Sequence, residues 1–378
     1  MEITRREALA GGAGLAGAML AGPALAAAPS EAARRAYGGA MVIDALGGLS
    51  SFDPDDKPGL PMLPRFISEM RASGITAINL TVSDVGNGPG KFQSTVETIA
   101  FANRQIAMFP DVLMQVASAA DLRAAKASGK LGVIYGTQDT TMLEGDFERL
   151  DTLFNFGARI VQPVYNRRNM MGDGCLEPNN GGLSLSGREL VARLNAMRIL
   201  VDMSHAASRT QAEAIALSTR PCAITHSGCR ALNDNPRNTH DSELRALAAK
   251  GGVLGIYFMP FLRAKGQQTA ADVIAHIEHA IQVMGEDHVG LGTDGGVPAV
   301  RDMAAYRKQV DADTERRKKA GIAAPGEAAG VTLIVPEYND ARRFERLADD
   351  LLKRGHSSAR VEKILGNNFA RLFSEVWG

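Results

Sequence analysis

The chain has 378 residues, 45% of them apolar, and its 42 basic and 42 acidic residues cancel to zero formal charge. That length can bury one large core, either a barrel of about 250 residues with insertions or two smaller domains. The missing basic surplus argues against nucleic-acid binding, aromatics at 5% argue against base-stacking platforms, and three cysteines are too few for a disulfide framework.

The N-terminus reads as an export signal over residues 1–28. Arg5-Arg6 precede a weakly apolar Ala/Gly/Leu run that ends in small residues around Ala24-Leu25-Ala26, which is the pattern of the twin-arginine route. The expected partner is the twin-arginine export machinery and the expected location is periplasmic or otherwise exported. The run is too short and too poor in strong hydrophobes for a stable membrane anchor.

From residue 29 onward short apolar runs alternate with helical stretches. Strands are predicted at Met41–Leu46, Ile75–Val82, Leu131–Tyr135, Arg159–Val164, Ile199–Met203, Cys222–Thr225, Val253–Tyr257 and His288–Gly292. Helices are predicted at Leu63–Ser73, Val96–Phe109, Ala119–Ala127, Asp146–Phe156, Ser186–Ala196, Ala207–Ser218 and Asp272–Met284. Eight strand-then-helix repeats make an α/β chain, a (β/α)8 TIM-like barrel spanning 29–378 as one domain. Val112–Ala117 is either a ninth, accessory strand or the lead into the next helix. Asn166–Leu183, rich in Gly, Asn and Asp, follows the fourth strand and reads as a long loop on the active face. Residues 297–338 read as a solvated excursion, a charged helix at Met303–Ala320 followed by a Gly/Pro/Ala hinge. Helices at Asp340–Arg354 and Ala359–Val376 close the chain.

The most informative stretch is Ile199–Asn238, where two strands joined by one helix each run out on a histidine, His205 and His226. Such strands are parallel with a right-handed crossover, so both imidazoles leave the C-terminal edge where barrel enzymes build their sites. Two neutral imidazoles side by side suit a divalent metal such as zinc. The alternative is a hydrogen-bonded pair without metal. Cys175, Cys222 and Cys229 are expected to form no structural disulfide, with Cys222 packed inside a strand, although an oxidising compartment would allow one pair to close.

The chain resembles the membrane (renal) dipeptidase family of metal-dependent hydrolase barrels. The resemblance rests on Val42-Ile43-Asp44, Gly187-Arg188-Glu189, Leu200-Val201-Asp202-Met203-Ser204-His205, Thr225-His226-Ser227, Arg230-Ala231-Leu232, Asn235-Pro236-Arg237-Asn238, Gly251-Gly252-Val253, Val289-Gly290-Leu291-Gly292-Thr293-Asp294 and Gly366-Asn367-Asn368-Phe369. It implies hydrolysis of a dipeptide or similar small amide by metal-activated water. His205 and His226 would hold one of two zinc ions, Asp294 would serve catalysis and Arg237 would bind the substrate carboxylate. Arg237 read on its own residues also suits a salt bridge bracing a loop, and Asp294 a turn cap.

This sequence departs from the family pattern at the other ion. Leu46 and Gly48 stand where a His and an Asp would hold it, Gln138 stands at the bridging glutamate, and Tyr165 replaces a histidine associated with the tetrahedral intermediate. Gln138 is therefore a weak metal ligand, and Tyr165 a catalytic or substrate-binding group. Asp44, Asp84 and Asp139 lie near the same rim and suit either a rebuilt site or turn caps. The expected cofactor is one zinc ion, with iron or no metal as alternatives. The competing expectation is a divergent barrel without dipeptidase activity that binds or modifies a peptide-derived metabolite, with a mononuclear redox metal or as a metal-free binding protein. Homodimerisation is compatible with either.

Overall fold

A computed structural model describes residues 28–378, except 52, 54, 57–59 and 87. The expected export signal therefore lies outside the described residues, apart from residue 28. Among the described residues no helix is long and apolar enough to cross a membrane.

Among the described residues eleven strands occur, in chain order β1 (Ile43–Asp44), β2 (Gly47–Gly48), β3 (Ala77–Thr81), β4 (Leu113–Gln115), β5 (Leu131–Thr137), β6 (Ala158–Val161), β7 (Leu200–Val201), β8 (Ala223–Ser227), β9 (Val253–Ile256), β10 (Val289–Leu291) and β11 (Gly295–Gly296). One parallel sheet runs β1-β3-β5-β6-β7 and a second runs β8-β9-β10. The parallel bridge between Asp202 and Ala223 joins them on one side, and the bond from Ala45 N–H to Leu291 O (2.9 Å) joins them on the other. Eight parallel strands thus close into the expected barrel. β4 is the accessory strand, borrowing the N-terminal half of β5, whose other half pairs with β6. β2 and β11 form a short parallel ribbon beyond the ends of β1 and β10.

The barrel strands are almost entirely buried because both faces are covered, which is why they read as continuous apolar runs. Side chains of Ile43, Ala77, Ile134, Ile160, Leu200, Ala223 and Val253 form one buried cluster with Phe369 and Phe373 of the closing helix Asn368–Trp377. On β10 the same cluster needs Gly290, because a Cβ there would meet the Phe369 ring at 2.6 Å.

Three features depart from the pattern read in the sequence. A helix at Glu31–Gly39, capped by the Ser30 side chain, precedes the first strand. The expected helix Ala359–Val376 is broken into Ser358–Glu362 and Asn368–Trp377 by a wide turn at Lys363–Asn367 centred on Gly366. Residues 297–338 are not a solvated excursion. Their helix Met303–Lys319 buries Tyr306, Val310 and Thr314, and the segment after it folds back over the barrel mouth. Asn166 Nδ2 donates to Ile322 O (2.8 Å), Arg167 Nε to Gly321 O (2.6 Å), Asn235 Nδ2 to Pro325 O (2.6 Å) and Gln267 Nε2 to Ile334 O (2.8 Å). A cap held by several barrel loops has its polar backbone satisfied, whereas a free excursion would leave it to water.

β8 carries an irregularity that matters for the site. Against β9, Ala223 and Ile224 pair with Val253 and Leu254, but the next partner of Ile256 is Ser227, so Thr225 and His226 together face Gly255. This two-against-one bulge turns the Thr225 carbonyl into the barrel and re-aims the side chain that follows it. A Cβ on Gly255 or on Gly292 would stand 1.9 Å from Thr225 O. Gly255→Ala is therefore expected to cost about 1–3 kcal/mol in unfolding free energy, the usual range for overpacking. Urea denaturation measures it, and an unchanged midpoint would mean that the bulge does not depend on this clearance.

Candidate active site

At the C-terminal mouth of the barrel, β7 runs out through Asp202 into a tight turn bearing His205, while the bulge of β8 presents His226. The two rings meet edge-on with Nε2 to Nε2 at 3.0 Å. Both are buried, and burial together with the nearby Arg237 guanidinium holds both pKa values well below the ordinary imidazole value, so both rings are neutral at physiological pH.

Each ring is braced from behind. His205 Nδ1 lies 2.6 Å from Asn166 Oδ1, which can only accept, so this nitrogen carries the proton and Nε2 presents its lone pair. Arg237 Nη2 confirms the tautomer by lying 3.2 Å from that same Nε2 as an obligate donor. On the other side His226 Nδ1 lies 2.9 Å from Thr225 Oγ1, whose hydroxyl donates to Asp202 Oδ2 at 2.6 Å. Asp202 also accepts from Ser204 Oγ (2.5 Å), Ser204 N–H (3.1 Å) and Thr225 N–H (2.9 Å). Carboxylate and amide partners behind imidazoles are what fixes ring orientation in metal sites.

Arg237 is 2% exposed and also donates through Nη1 to the Ser204 carbonyl. It is not a loop-bracing salt bridge, because no carboxylate pairs with it among the described residues. Tyr165 stacks on His205 with ring centroids 4.1 Å apart, and its phenol oxygen accepts from Arg317 Nη1 at 3.1 Å. Burial raises the Tyr165 pKa, so the phenol keeps its proton. Asp294 sits at φ +58°, a left-handed conformation uncommon outside glycine, with its N–H donating to Leu46 O (2.9 Å). Its carboxyl group lines the cavity, and burial pushes its pKa up to about 6 against the opposing pull of Arg237 and Arg317.

His205, Arg237, Tyr165, Asp294 and Gln138 all line one cavity of about 190 Å³. Gln138 also lines the shallow neighbouring cavity formed by Leu46, Gly48, Thr81 and Asp294, so it stands between the two, with Nε2 donating to Thr81 Oγ1 at 2.8 Å. The three rim aspartates brace turns instead of facing this space. Asp44 accepts from Thr293 N–H (2.7 Å) and Thr293 Oγ1 (2.6 Å), Asp84 from Ser94 Oγ (2.8 Å), and Asp139 from Gly86, Thr140 and Thr141 N–H groups. Among the described residues no cluster of three or more His, Cys, Asp or Glu side chains is placed to hold a metal. All three cysteines carry free thiols, and Cys222, expected inside a strand, is buried one residue before β8.

Sequence reasoning missed Asn166, Arg317 and Glu327. Arg317 belongs to a basic run read as a solvated helix face, and its neighbours Arg316, Lys318 and Lys319 are indeed exposed. Arg317 itself turns inward to Tyr165 and forms a two-pronged pair with Glu327 at 2.6 and 3.0 Å. The only signal was position, three turns along a helix whose Tyr306 and Val310 form the buried stripe.

Residues 62–312 match the family model for membrane dipeptidase, peptidase family M19. A solved structure of an amidohydrolase from Pseudomonas aeruginosa superposes with TM-score 0.77 at 33% identity, covering 92% of this chain and 99% of that one. An uncharacterised protein in the pqqA 5' region of Klebsiella pneumoniae is 27% identical over 74% of this chain and 95% of its own length. The dipeptidase verJ of Clonostachys rogersoniana is 25% identical over 75% of this chain and 65% of its own length. With the barrel closed and His205, Arg237 and Asp294 gathered at its mouth, this chain belongs to the membrane dipeptidase family, peptidase family M19.

Proposed function

We propose that the chain is an exported hydrolase that cleaves a dipeptide or similar small amide, using one zinc ion held by His205 and His226. The observation that carries this reading is the pair of neutral imidazoles with Nε2 atoms 3.0 Å apart beside Arg237 and Asp294. Two bonds of about 2 Å to one tetrahedral ion would set the nitrogens roughly 3.3 Å apart, close to what is found. The place of a second ion does not fit one. Leu46 offers no ligand atom, Gly48 has no side chain, and the Gln138 amide is neutral and engaged with Thr81.

A zinc ion at the histidine pair would supply a strongly polarised water at neutral pH. The rest falls to the chain itself. Arg237 offers a planar fork to a substrate carboxylate, Asp294, ionised above about pH 6, takes a proton from the attacking water, and the Tyr165 hydroxyl donates to the oxygen on which charge develops. Export rests on Arg5-Arg6 and the apolar run after them.

One observation favours a second reading, a barrel that binds a peptide-derived metabolite without hydrolysing it. Arg237 Nη2 is directed at the His205 lone pair that a metal would use, and a guanidinium cannot give up its proton to make room. Metal binding at this place therefore requires Arg237 to move, which a substrate carboxylate would favour.

Metal analysis of the chain recovered from the exported fraction separates the readings. About one zinc per chain, lost in folded His205→Ala and His226→Ala variants, is expected, with the triple change Leu46→His, Gly48→Asp and Gln138→Glu raising the content towards two. Recovery only inside the cell would count against export, iron or copper in place of zinc would point to a redox-metal barrel, and metal-free protein without dipeptide turnover would reject zinc hydrolysis and favour the second reading. Zinc titrated into metal-free Arg237→Gln should bind at least about tenfold more tightly than in the parent, since a competing hydrogen bond to a charged donor is worth about 1.5–3 kcal/mol. Equal affinities would show that Arg237 does not compete. Dipeptide hydrolysis should fall as pH drops through about 6, where Asp294 gains a proton, and Asp294→Asn should cost about 10²–10⁴ in rate. A profile flat across that range would remove Asp294 as the base.

A further inference from the structure

The lining of the cavity comes from different parts of the chain. Arg237, His205, Tyr165 and Asp294, all from barrel loops, give it polar groups. Apolar surface comes from Phe258 and Met259, which follow β9, and from Val300, Leu333, Ile334 and Val335 of the cap. The Phe258 ring is itself fixed between Tyr338 and Phe344, with centroids 5.5 and 6.2 Å away. Several polar groups near this surface are already engaged. Arg317 is neutralised by Glu327, and the Tyr338 hydroxyl donates to Asp350 at 2.8 Å, away from the cavity. The amides of Gln267 and Gln268 are spent on cap carbonyls and on Phe258 O.

We propose that the cap makes this site selective for substrates that carry a large apolar, aromatic or branched, side chain next to the carboxylate read by Arg237. This rests on the reading of Arg237 as the carboxylate anchor and adds the class of side chain. An apolar group lying against the cap exchanges water for Leu333, Val335 and Phe258 surface and gains in proportion to the area it buries. The Arg343 guanidinium also lines the cavity, with Nε and Nη2 spent on the Asp340 and Val297 carbonyls, so the selectivity rests on this apolar gain and not on exclusion of acidic groups. The seat of the cap makes the selectivity rigid. Asn339 bonds Val300 in both directions, at 2.8 and 2.7 Å, and Thr332 N–H donates to Gln267 Oε1 at 2.9 Å, so Val300 and Leu333 are held in place.

Calorimetric titration of the full chain, as purified, with racemic N-acetylphenylalanine, N-acetylalanine and N-acetylaspartate tests this without reference to turnover. N-acetylphenylalanine is expected to bind at least about tenfold more tightly than N-acetylalanine, the discrimination an apolar pocket provides, and more tightly than N-acetylaspartate. Leu333→Asp should bring the phenylalanine to alanine ratio towards one. Leu333→Ala, which adds no charge and is the safer variant for folding, should lower it in the same direction. Equal or reversed affinities in the parent, or a ratio unchanged in both variants, would overturn the side-chain inference while leaving Arg237 as anchor. Absence of binding by all three acids, or binding unaffected by Arg237→Gln, would instead remove the carboxylate reading beneath it.

Discussion

The Asp202 carboxylate is the contact on which the mouth of this barrel turns. It accepts from the N–H and hydroxyl groups of both Ser204 and Thr225, at the seam where regular pairing between β7 and β8 thins to a single bridge. Burial raises its pKa while these donors pull it back, so its charge and its partners are set against each other in a low-dielectric space. One buried group thus fixes both the turn that carries His205 and the bulge that carries His226. Geometry at the site follows from that seam more than from either histidine.

Above the seam, charge and apolar surface are sorted by origin. Barrel loops supply Arg237 and Asp294, whereas the cap brings its cation and anion together as Arg317 and Glu327. Burial lowers the pKa of both rings most, Arg237 lowers both further, and Arg317 adds to its effect at His205. The same arginine that prepares the rings as neutral ligands also stands across one lone pair. Attraction for a carboxylate and repulsion of a cation are one property of the guanidinium.

The barrel was legible because alternation of apolar strands with amphipathic helices is a property of local sequence, and all eight barrel strands overlap the segments read from it, with β5, β6 and β8 running one or two residues past their edges. His205 and His226 were legible for the same reason, since parallel strands must present their C-terminal residues at one edge. The absence of ligand atoms at Leu46 and Gly48 could be seen only against the family pattern. The bulge at Thr225-His226 was invisible, because nothing in Ile224-Thr225-His226-Ser227 interrupts a strand; it exists because Gly255 and Gly292 leave room across the barrel. Arg317 was invisible because a basic run on a helix looks alike whether one of its members turns to solvent or to a phenol. The cap was misread as solvated because its apolar residues are dispersed over a hinge without periodicity.

How the cap is held has a consequence for its history. Its seat is made chiefly by barrel side chains, Asn166, Arg167, Asn235, Gln267 and Gln268, gripping main-chain carbonyls of Gly321, Ile322, Pro325, Thr332 and Ile334. A carbonyl is the same whatever residue bears it. The cap can therefore exchange its inward side chains by drift without losing its docking, much as a socket accepts different tools of one shank, and the barrel beneath can remain unaltered while the chemistry overhead is replaced.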